Sequence, residues 1–178
     1  SLLDLIKDLL AISAIEAGGK CRQIERIDLK AILSEVLDWM KMEIDAKGIE
    51  VDLEMKPALP LIMADRKEMN QVFGNLIVNA VKYNKENGII RIKGSMDKHM
   101  LKIVVEDTGI GMNKEELARC FDEFYRARNK KTRKIPGTGL GLSIVHKIVE
   151  SNAGRIEVTS KEDQGTRFEV FLPVIEGK

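Results

Sequence analysis

Three stretches of the sequence contain amides, a carboxylate and glycines at spacings that would let them bind a ligand together. In "NQVFGNLIVNAVKYN", Asn75, Asn79 and Lys82 are spaced i, i+4 and i+7, so on a helix they share one side. An amide oxygen there can ligate Mg²⁺, a cation that shares phosphate oxygens, and the lysine can lie against a phosphate. A solvated polar stripe is the alternative, and the pattern alone leaves both interpretations open.

The second stretch is "EDTGIGM", in which Asp107 ends a predicted strand and Gly109 and Gly111 follow it. The glycines permit a backbone turn that a residue with a Cβ would resist. A carboxylate above such a turn can accept a hydrogen bond from an amine such as that of adenine. The alternative is an ordinary turn in which the aspartate bonds to its own backbone.

The third stretch, "GTGLGLS", runs three glycines (Gly137, Gly139 and Gly141) directly into a predicted helix. The first N–H groups of a helix have no internal partners and the helix dipole is positive there, so this is a potential anion site. Small residues would let a polyphosphate approach the backbone. The stretch lacks the Lys-Ser/Thr of a Walker A loop and no strand precedes it, which argues against a dinucleotide fingerprint.

Taken together and in this order, the stretches resemble a known family. "NLIVNAVKY", "DTGIGM", "FDEFYR" and "GTGLGL" are similar to the N, G1, F and G2 boxes of the sensor histidine kinase catalytic domain, over roughly residues 27–173. That domain shares a superfamily with gyrase, the MutL mismatch-repair proteins and heat-shock chaperone ATPases. The resemblance implies an α+β fold: a two-layer α/β sandwich (the Bergerat ATP-binding fold) whose mixed, mostly antiparallel sheet carries helices on one face.

The resemblance also implies roles for individual residues, with ATP and Mg²⁺ as cofactors. Asn79 would be the principal Mg²⁺ ligand, with Asn75 and Lys82 beside it at the phosphates as the catalytic set. Phe121 and Phe124 would anchor a lid over about residues 126–138, from which Arg126 and Arg128 are candidates to reach the triphosphate. The residues implied to contact the nucleotide are Asn75, Asn79, Lys82, Tyr83, Asp107, Gly109, Gly111, Met112, Phe124, Gly137, Thr138, Gly139, Leu140, Gly141, Leu142 and Thr166.

The expected acceptor of the phosphoryl group is a protein side chain. Superfamily ATPases that attack with water usually place a Glu one turn before the metal-binding Asn, as general base, and here that position is Asn75. The family nucleophile is a histidine, but His99 and His146 both lie outside a phosphoacceptor box, which would precede residue 1. We therefore expect this chain to bind ATP without autophosphorylating.

The implied partners are the upstream phosphoacceptor helix, in cis or in trans, and a response regulator. Two other functions stay open. One is an anti-sigma-type serine kinase of the same superfamily, against which the first 19 residues argue. The other is a non-catalytic nucleotide-binding module.

The local patterns predict the elements that position these residues. Asp28 is a candidate N-cap for a helix over about 29–46, and Asp65 with Glu68 starts a long helix that ends near Lys82. Other predicted elements are a strand at "IEVDLEM", a short strand at 61–63, a hairpin around "DKH", a short helix after Asn113, a helix after the glycines and a closing hairpin around "KEDQG". "KCRQIER" is interpreted as a polar connector.

Composition excludes some functions. The 178 residues are 44% apolar, and 29 basic residues against 28 acidic ones leave a net charge of +1, which argues against a nucleic-acid binder. No apolar run approaches the roughly 18 to 20 residues of a membrane span. Cys21 and Cys120 are in no metal-binding spacing and are expected to be free thiols in a reducing cytosol. We expect a cytoplasmic domain, and leave open whether a parent protein is membrane-anchored.

The first residues have apolar positions at helical spacing. "IKDLLAISAIEAGG" resembles the end of the second helix of a kinase dimerisation and phosphoacceptor domain. We therefore expect a truncated helix over 1–19 and the ATP-binding domain over 20–178, from a longer, homodimeric parent. The chain itself is expected to be a monomer, or a weak dimer through an exposed apolar stripe over 2–15.

Overall fold

A five-stranded sheet and the helices packed on one of its faces form the two layers of the structure, a computed structural model that describes residues 2–16, 22–127, 131–133 and 135–175. In chain order the elements are α1 (Leu2–Glu16), β1 (Ile24–Ile27), α2 (Leu29–Trp39), α3 (Lys41–Ala46), β2 (Glu50–Met55), β3 (Ile62–Asp65), α4 (Arg66–Lys82), β4 (Ile89–Asp97), β5 (Met100–Asp107), α5 (Lys114–Ala118), α6 (Gly141–Ser151), β6 (Arg155–Lys161) and β7 (Gly165–Pro173).

The sheet is mixed and mostly antiparallel, as predicted. Its strand order is β2-β4-β5-β7-β6, and only the β2–β4 pair among these is parallel, because the chain returns through α4 between those two strands. β4 and β5 form the predicted hairpin, with Asp97 opposite Met100 and His99 in the turn.

Alternating side chains of the sheet build the core. Ile90, Ile92 and Ile103 are fully buried beneath the helices, whereas their neighbours Lys93 and Lys102 form ion pairs on the other face. Burial of the apolar side chains supplies the main driving force for packing α4 and α6 on this face, with α2 against α4.

The predicted helix caps are confirmed. The Asp28 carboxylate accepts a hydrogen bond from the Lys30 amide at 2.9 Å, and that of Asp65 accepts one from the Lys67 amide at 2.8 Å. Asn113 and Glu116 form a reciprocal capping box at the start of α5. The site-bearing helix α4 therefore begins where the sequence predicts.

Two local predictions are wrong. The helix expected over 29–46 is interrupted at Met40, which has φ −87° and ψ 3° and separates α2 from α3. Met40 and Ile44 are both buried, so the apolar periodicity continues across the break. The break therefore cannot be predicted from that periodicity. The polar connector contains a strand, β1, which pairs antiparallel with β3; Ile27 alone of its four residues is buried, so no alternation announces it.

The apolar stripe of α1 is only partly exposed. Ile12 is buried at 7% exposure, and α1 packs against α6. Among the side chains described on this helix, the large apolar ones that stay exposed are Leu3, Ile6, Leu9 and Leu10. The boundary between 1–19 and 20–178 stays a prediction. Among the residues described, no helix combines the length and apolar character needed to cross a bilayer.

Candidate functional site

The three predicted stretches meet around one cleft of about 250 Å³. Its walls come from α4, the turn after β5, the start of β7, the beginning of α6 and the segment that precedes α6. The predicted residues that line it are Asn75, Asn79, Lys82, Tyr83, Asp107, Gly111, Met112, Arg126, Gly137, Thr138, Gly139, Gly141, Leu142 and Thr166. Residues more than 60 positions apart thus form a single site.

One end of the cleft is built around the Asp107 carboxylate. It lies at the end of β5, is 8% exposed and accepts a hydrogen bond from the Gly109 amide at 2.8 Å. Burial raises the pKa of Asp107 to about 6, while hydrogen bonds from the backbones of Gly109 and Thr166 oppose the rise and the charge of Glu106 adds to it. A buried carboxylate with so few partners suits a hydrogen-bond donor brought by a ligand.

Gly109 is required by a close backbone approach. A Cβ there would lie 2.3 Å from the Tyr83 carbonyl oxygen and 2.8 Å from the Asp107 carboxylate. The Ile110 amide donates to the same Tyr83 carbonyl at 3.0 Å, so the turn after β5 is bound to the end of α4. Gly109 therefore shapes the cleft from behind, and it is not one of the lining residues.

The other end of the cleft is the start of α6. Its N-cap, Leu140, makes no side-chain cap, and the first hydrogen bond back to it comes from the Ile144 amide. The amides of the first turn consequently point out of the helix, and no described side chain accepts a hydrogen bond from them. With the positive end of the helix dipole, they form a site for an anion.

Two cationic side chains converge near this helix start. The pKa of Lys82 is lowered by burial and further by the positive charge of Arg126. A Cβ at Gly137 would lie 3.1 Å from the Lys82 ammonium and 3.9 Å from the Arg126 Nε, so both cations approach the glycine backbone. Their mutual repulsion would be relieved by a bound polyanion.

The two predicted asparagines differ in what they bond. The Asn75 amide donates to the Gly141 carbonyl at 3.2 Å and so fastens α6 to α4. Across the described ranges, no hydrogen bond uses the Asn79 side chain, although it faces the cleft one turn further on. Asn79 is thus the amide that is free to take a ligand.

Described residues of the segment before α6, among them Tyr125, Arg126 and Thr132, line the cleft. Phe121 packs on His146 with ring centroids 5.1 Å apart, and its role as a lid anchor stays a prediction. Phe124 is 57% exposed and does not line the cleft; its backbone, at φ 60°, instead lies against Gly139. Gly139 itself has φ 80° and no room for a Cβ there. Arg128 lies outside the described residues.

Leu140 also departs from its predicted contact, since it is fully buried in the core. The sequence missed other residues that line the cleft. Ile110 lies between two predicted glycines and could have been included on that ground. Val78, Tyr125, Ala127 and Thr132 lie within the predicted helix, F box and lid and could have been included in the same way. The others reach the cleft only through tertiary packing: Asp8, Glu116, Cys120 and Phe168.

Asp8 brings helix α1 to the anion end of the cleft. Its carboxylate accepts a hydrogen bond from the Thr138 hydroxyl at 2.7 Å, and the same hydroxyl accepts one from the Leu140 amide at 3.3 Å. A negative charge of α1 therefore lies beside the glycine-rich loop.

The two histidines do not line the cleft, whereas the described cysteine does. His99 lies in the β4–β5 turn, and His146 lies on α6 with its Nδ1 3.2 Å from the Glu150 carboxylate. Cys120 is a free thiol whose pKa burial raises to about 11, so it is a poor nucleophile. Cys21 lies outside the described residues.

Comparison with known families gives one match over most of the chain. Residues 64–176 match the model of the "Histidine kinase-, DNA gyrase B-, and HSP90-like ATPase" family. The matched range contains α4, the turn after β5, the glycine-rich loop and α6.

Individual relatives are sensor kinases. The chain is 32% identical to the circadian input-output histidine kinase CikA of Synechococcus elongatus over 97% of its own length and 23% of the relative. It is 33% identical to the sensor protein kinase WalK of Staphylococcus saprophyticus over 97% of its length and 28% of that protein. The full-length ShkA structure in complex with AMPPNP has a TM-score of 0.85 at 28% identity, over 99% of this chain and 36% of that one. The chain thus spans about a quarter of these curated relatives.

Proposed function

The chain belongs to the histidine kinase-, DNA gyrase B- and HSP90-like ATPase family, and from this we propose that its cleft presents ATP for phosphoryl transfer to a histidine. The chain is the ATP-binding catalytic domain of the sensor histidine kinase type. The observation that carries the proposal is the pairing of a buried carboxylate at one end of the cleft with an uncapped helix start and two cations at the other.

This polarity orients the nucleotide. The adenine amino group would donate to Asp107, and Thr166, which lines the same end of the cleft, would lie near the base. The triphosphate would lie along the first turn of α6, where N–H groups, Lys82 and Arg126 all favour negative charge. The reverse orientation would put the triphosphate against the Asp107 carboxylate, which repels it.

The site suits Mg²⁺. Asn79 offers an amide oxygen with no hydrogen-bond partner in the described part of the chain, and hard cations prefer such oxygens together with phosphates and water. When bound, the ion would neutralise charge on the transferring phosphoryl group. Lys82 and Arg126 would hold the phosphates from the other side.

The proposed nucleophile is an imidazole from outside the cleft. At Asn75, where a general base would lie, the amide is instead engaged with Gly141, and an amide has no basic site for water. An imidazole nitrogen would form a bond to the γ-phosphorus as the bond to the ADP oxygen breaks, and ADP leaves. The phosphoacceptor helix, in cis or trans, would supply this histidine, and a response-regulator aspartate would take the group next.

Binding and labelling test the proposal together. Titration with ATP and Mg²⁺ is expected to show saturable binding, and GTP is expected to bind more weakly because its base has a carbonyl where adenine carries the amino group. Incubation with γ-labelled ATP is expected to leave the chain unlabelled. Absence of ATP binding would reject the proposed function, and acid-labile label on His99 or His146 would reject an external histidine.

Removing the α1 charge is expected to tighten ATP binding. The Asp8 carboxylate lies at the predicted phosphate end, where two like charges in a partly exposed site repel by about 1 kcal/mol. Asp8→Asn should therefore lower the Kd for ATP by about fivefold. Asp52→Asn, which removes an exposed charge that does not line the cleft, is the control, and an unchanged or raised Kd for Asp8→Asn contradicts the prediction.

A further inference from the structure

We propose that Lys47, which does not line the cleft, positions the nucleotide-binding end of α4. Lys47 is the C-cap of α3, and its partly buried side chain reaches across to the last turn of α4. Its ammonium donates to the main-chain carbonyl oxygens of Val81 at 2.8 Å, Lys82 at 2.9 Å and Asn84 at 3.4 Å. All three donors of the ammonium group are therefore used on one short segment.

Two of these carbonyls, those of Val81 and Lys82, lie in the last turn of α4, the part of a helix that needs external partners. The last carbonyls of an α-helix have no acceptor role inside the helix, and the negative end of the dipole lies there. A lysine ammonium satisfies both conditions. The same turn carries the side chains of Lys82 and Tyr83 into the cleft, so whatever holds its backbone also sets where those side chains point.

Lys47 is itself held in place. Its carbonyl oxygen accepts a hydrogen bond from the main-chain amide of Asn87 at 2.9 Å. Its main chain therefore bonds to the α4–β4 connection, and its side chain bonds to the end of α4. Burial lowers the pKa of Lys47, and Glu86 is the charge whose field partly restores it. Within the described part of the chain Lys47 forms no ion pair, and its ammonium donates only to main-chain carbonyl oxygens.

The effect of Lys47 extends to the turn that follows Asp107. The residue after Lys82 is Tyr83, whose carbonyl accepts the hydrogen bond from the Ile110 amide at 3.0 Å. Two hydrogen bonds, one from Lys47 to the Lys82 carbonyl and one from Ile110 to the Tyr83 carbonyl, thus connect Lys47 to the end of the cleft that contains Asp107. The inference rests on the proposed function, since it assigns Lys47 to the positioning of ATP through Lys82 and Tyr83.

The test compares Lys47→Met, which keeps the aliphatic length and loses the donors, with Lys47→Arg, which keeps charge and donors. Lys47→Met is expected to raise the Kd for ATP about tenfold, and Lys47→Arg is expected to restore much of the affinity. Asp28→Ala is the matched control: it removes the cap of α2, so it lowers stability at a position that does not line the cleft and forms none of the Lys47 hydrogen bonds.

A second readout does not need nucleotide. Amide hydrogen exchange at Ile110 is expected to speed up in Lys47→Met and to stay unchanged in Asp28→Ala, because only the first loosens the Tyr83 carbonyl. Unchanged Ile110 exchange in Lys47→Met overturns the inference even if the wild type binds no ATP. If the wild type binds ATP, equal losses of affinity in Lys47→Met and Asp28→Ala also overturn it, because a general loss of stability would then explain both.

Discussion

Replacement of Asp107 by asparagine is expected to abolish useful ATP affinity, with a loss of at least about 100-fold, or about 2.7 kcal/mol. The carboxylate accepts hydrogen bonds from the backbones of Gly109 and Thr166, and it is proposed to accept one from the adenine amino group at a remaining lone pair. An asparagine keeps the shape but can turn an N–H₂ donor toward the adenine donor. Two donors that face each other in a buried site cannot form a hydrogen bond, so at least one of them stays unsatisfied. An unsatisfied buried donor has a large free-energy penalty.

The matched control for this substitution is Glu106→Gln. Glu106 is the adjacent residue of β5 and points to the other face of the sheet, where its carboxylate lies 3.6 Å from Arg167. Isothermal titration calorimetry with ATP and Mg²⁺ measures the Kd of both variants. If Asp107→Asn binds within about threefold of the wild type, the base does not lie on Asp107.

The raised pKa of Asp107 predicts a pH dependence of binding. The ionised carboxylate is the better acceptor for an amino group, and its pKa in the free protein is about 6. Each pH unit below that value lowers the ionised fraction about tenfold, so affinity is expected to fall as pH falls through about 6. Because ATP itself also titrates, Asp107→Asn serves as the reference: the part of the pH dependence that it lacks belongs to Asp107.

Stability is expected to change in the opposite direction. The pKa of Asp107 rises from 3.8 to about 6 on folding, so between these values the folded state holds a proton that the unfolded state releases. Lowering the pH through this window therefore stabilises the free wild type, by about 1 kcal/mol between about pH 7.5 and 5. Asp107→Asn lacks this gain, and chemical denaturation of both proteins at the two pH values measures the difference.

Replacement of Asn79 by alanine is expected to remove the Mg²⁺-dependent part of ATP affinity. The Asn79 amide faces the cleft without a hydrogen-bond partner in the described ranges, so its loss leaves the fold little changed. The variant should bind ATP in Mg²⁺ no better than the wild type does in EDTA, a loss of about 100-fold, or about 2.7 kcal/mol.

Asn70→Ala is the matched control for Asn79→Ala, because it removes the same side chain from the same helix. Asn70 lies in a separate depression beside Glu35, Val36 and Trp39. It should leave both the affinity and its Mg²⁺ dependence unchanged. An Asn79→Ala protein that still gains affinity from Mg²⁺ would show that the ion binds elsewhere.

Several features of the site could be predicted from short stretches of sequence. The caps at Asp28 and Asp65 depend on residues two or three positions away, and the helical face with Asn75, Asn79 and Lys82 depends on one regular period. The family boxes are local in the same sense. Such features are readable because their physics involves neighbours along the chain.

Other features required the folded arrangement. The strand β1 exists because β3 pairs with it, and Phe124 is exposed while its backbone lies against Gly139. Asp8 meets Thr138 across 130 positions, and Lys47 meets Val81 across 34. No local pattern announces such contacts, because they depend on how separate elements pack.

By itself the sequence determined the family, the fold class, the two ends of the cleft and the amides and glycines that line much of it. Only the tertiary structure decided which asparagine is left free, how far burial raises the pKa of Asp107, and which distant side chains, Asp8 and Lys47, act on the site. The physical reason is that residue type and spacing set what a group can bond. Burial and partnership depend on surfaces that exist only after the elements have packed.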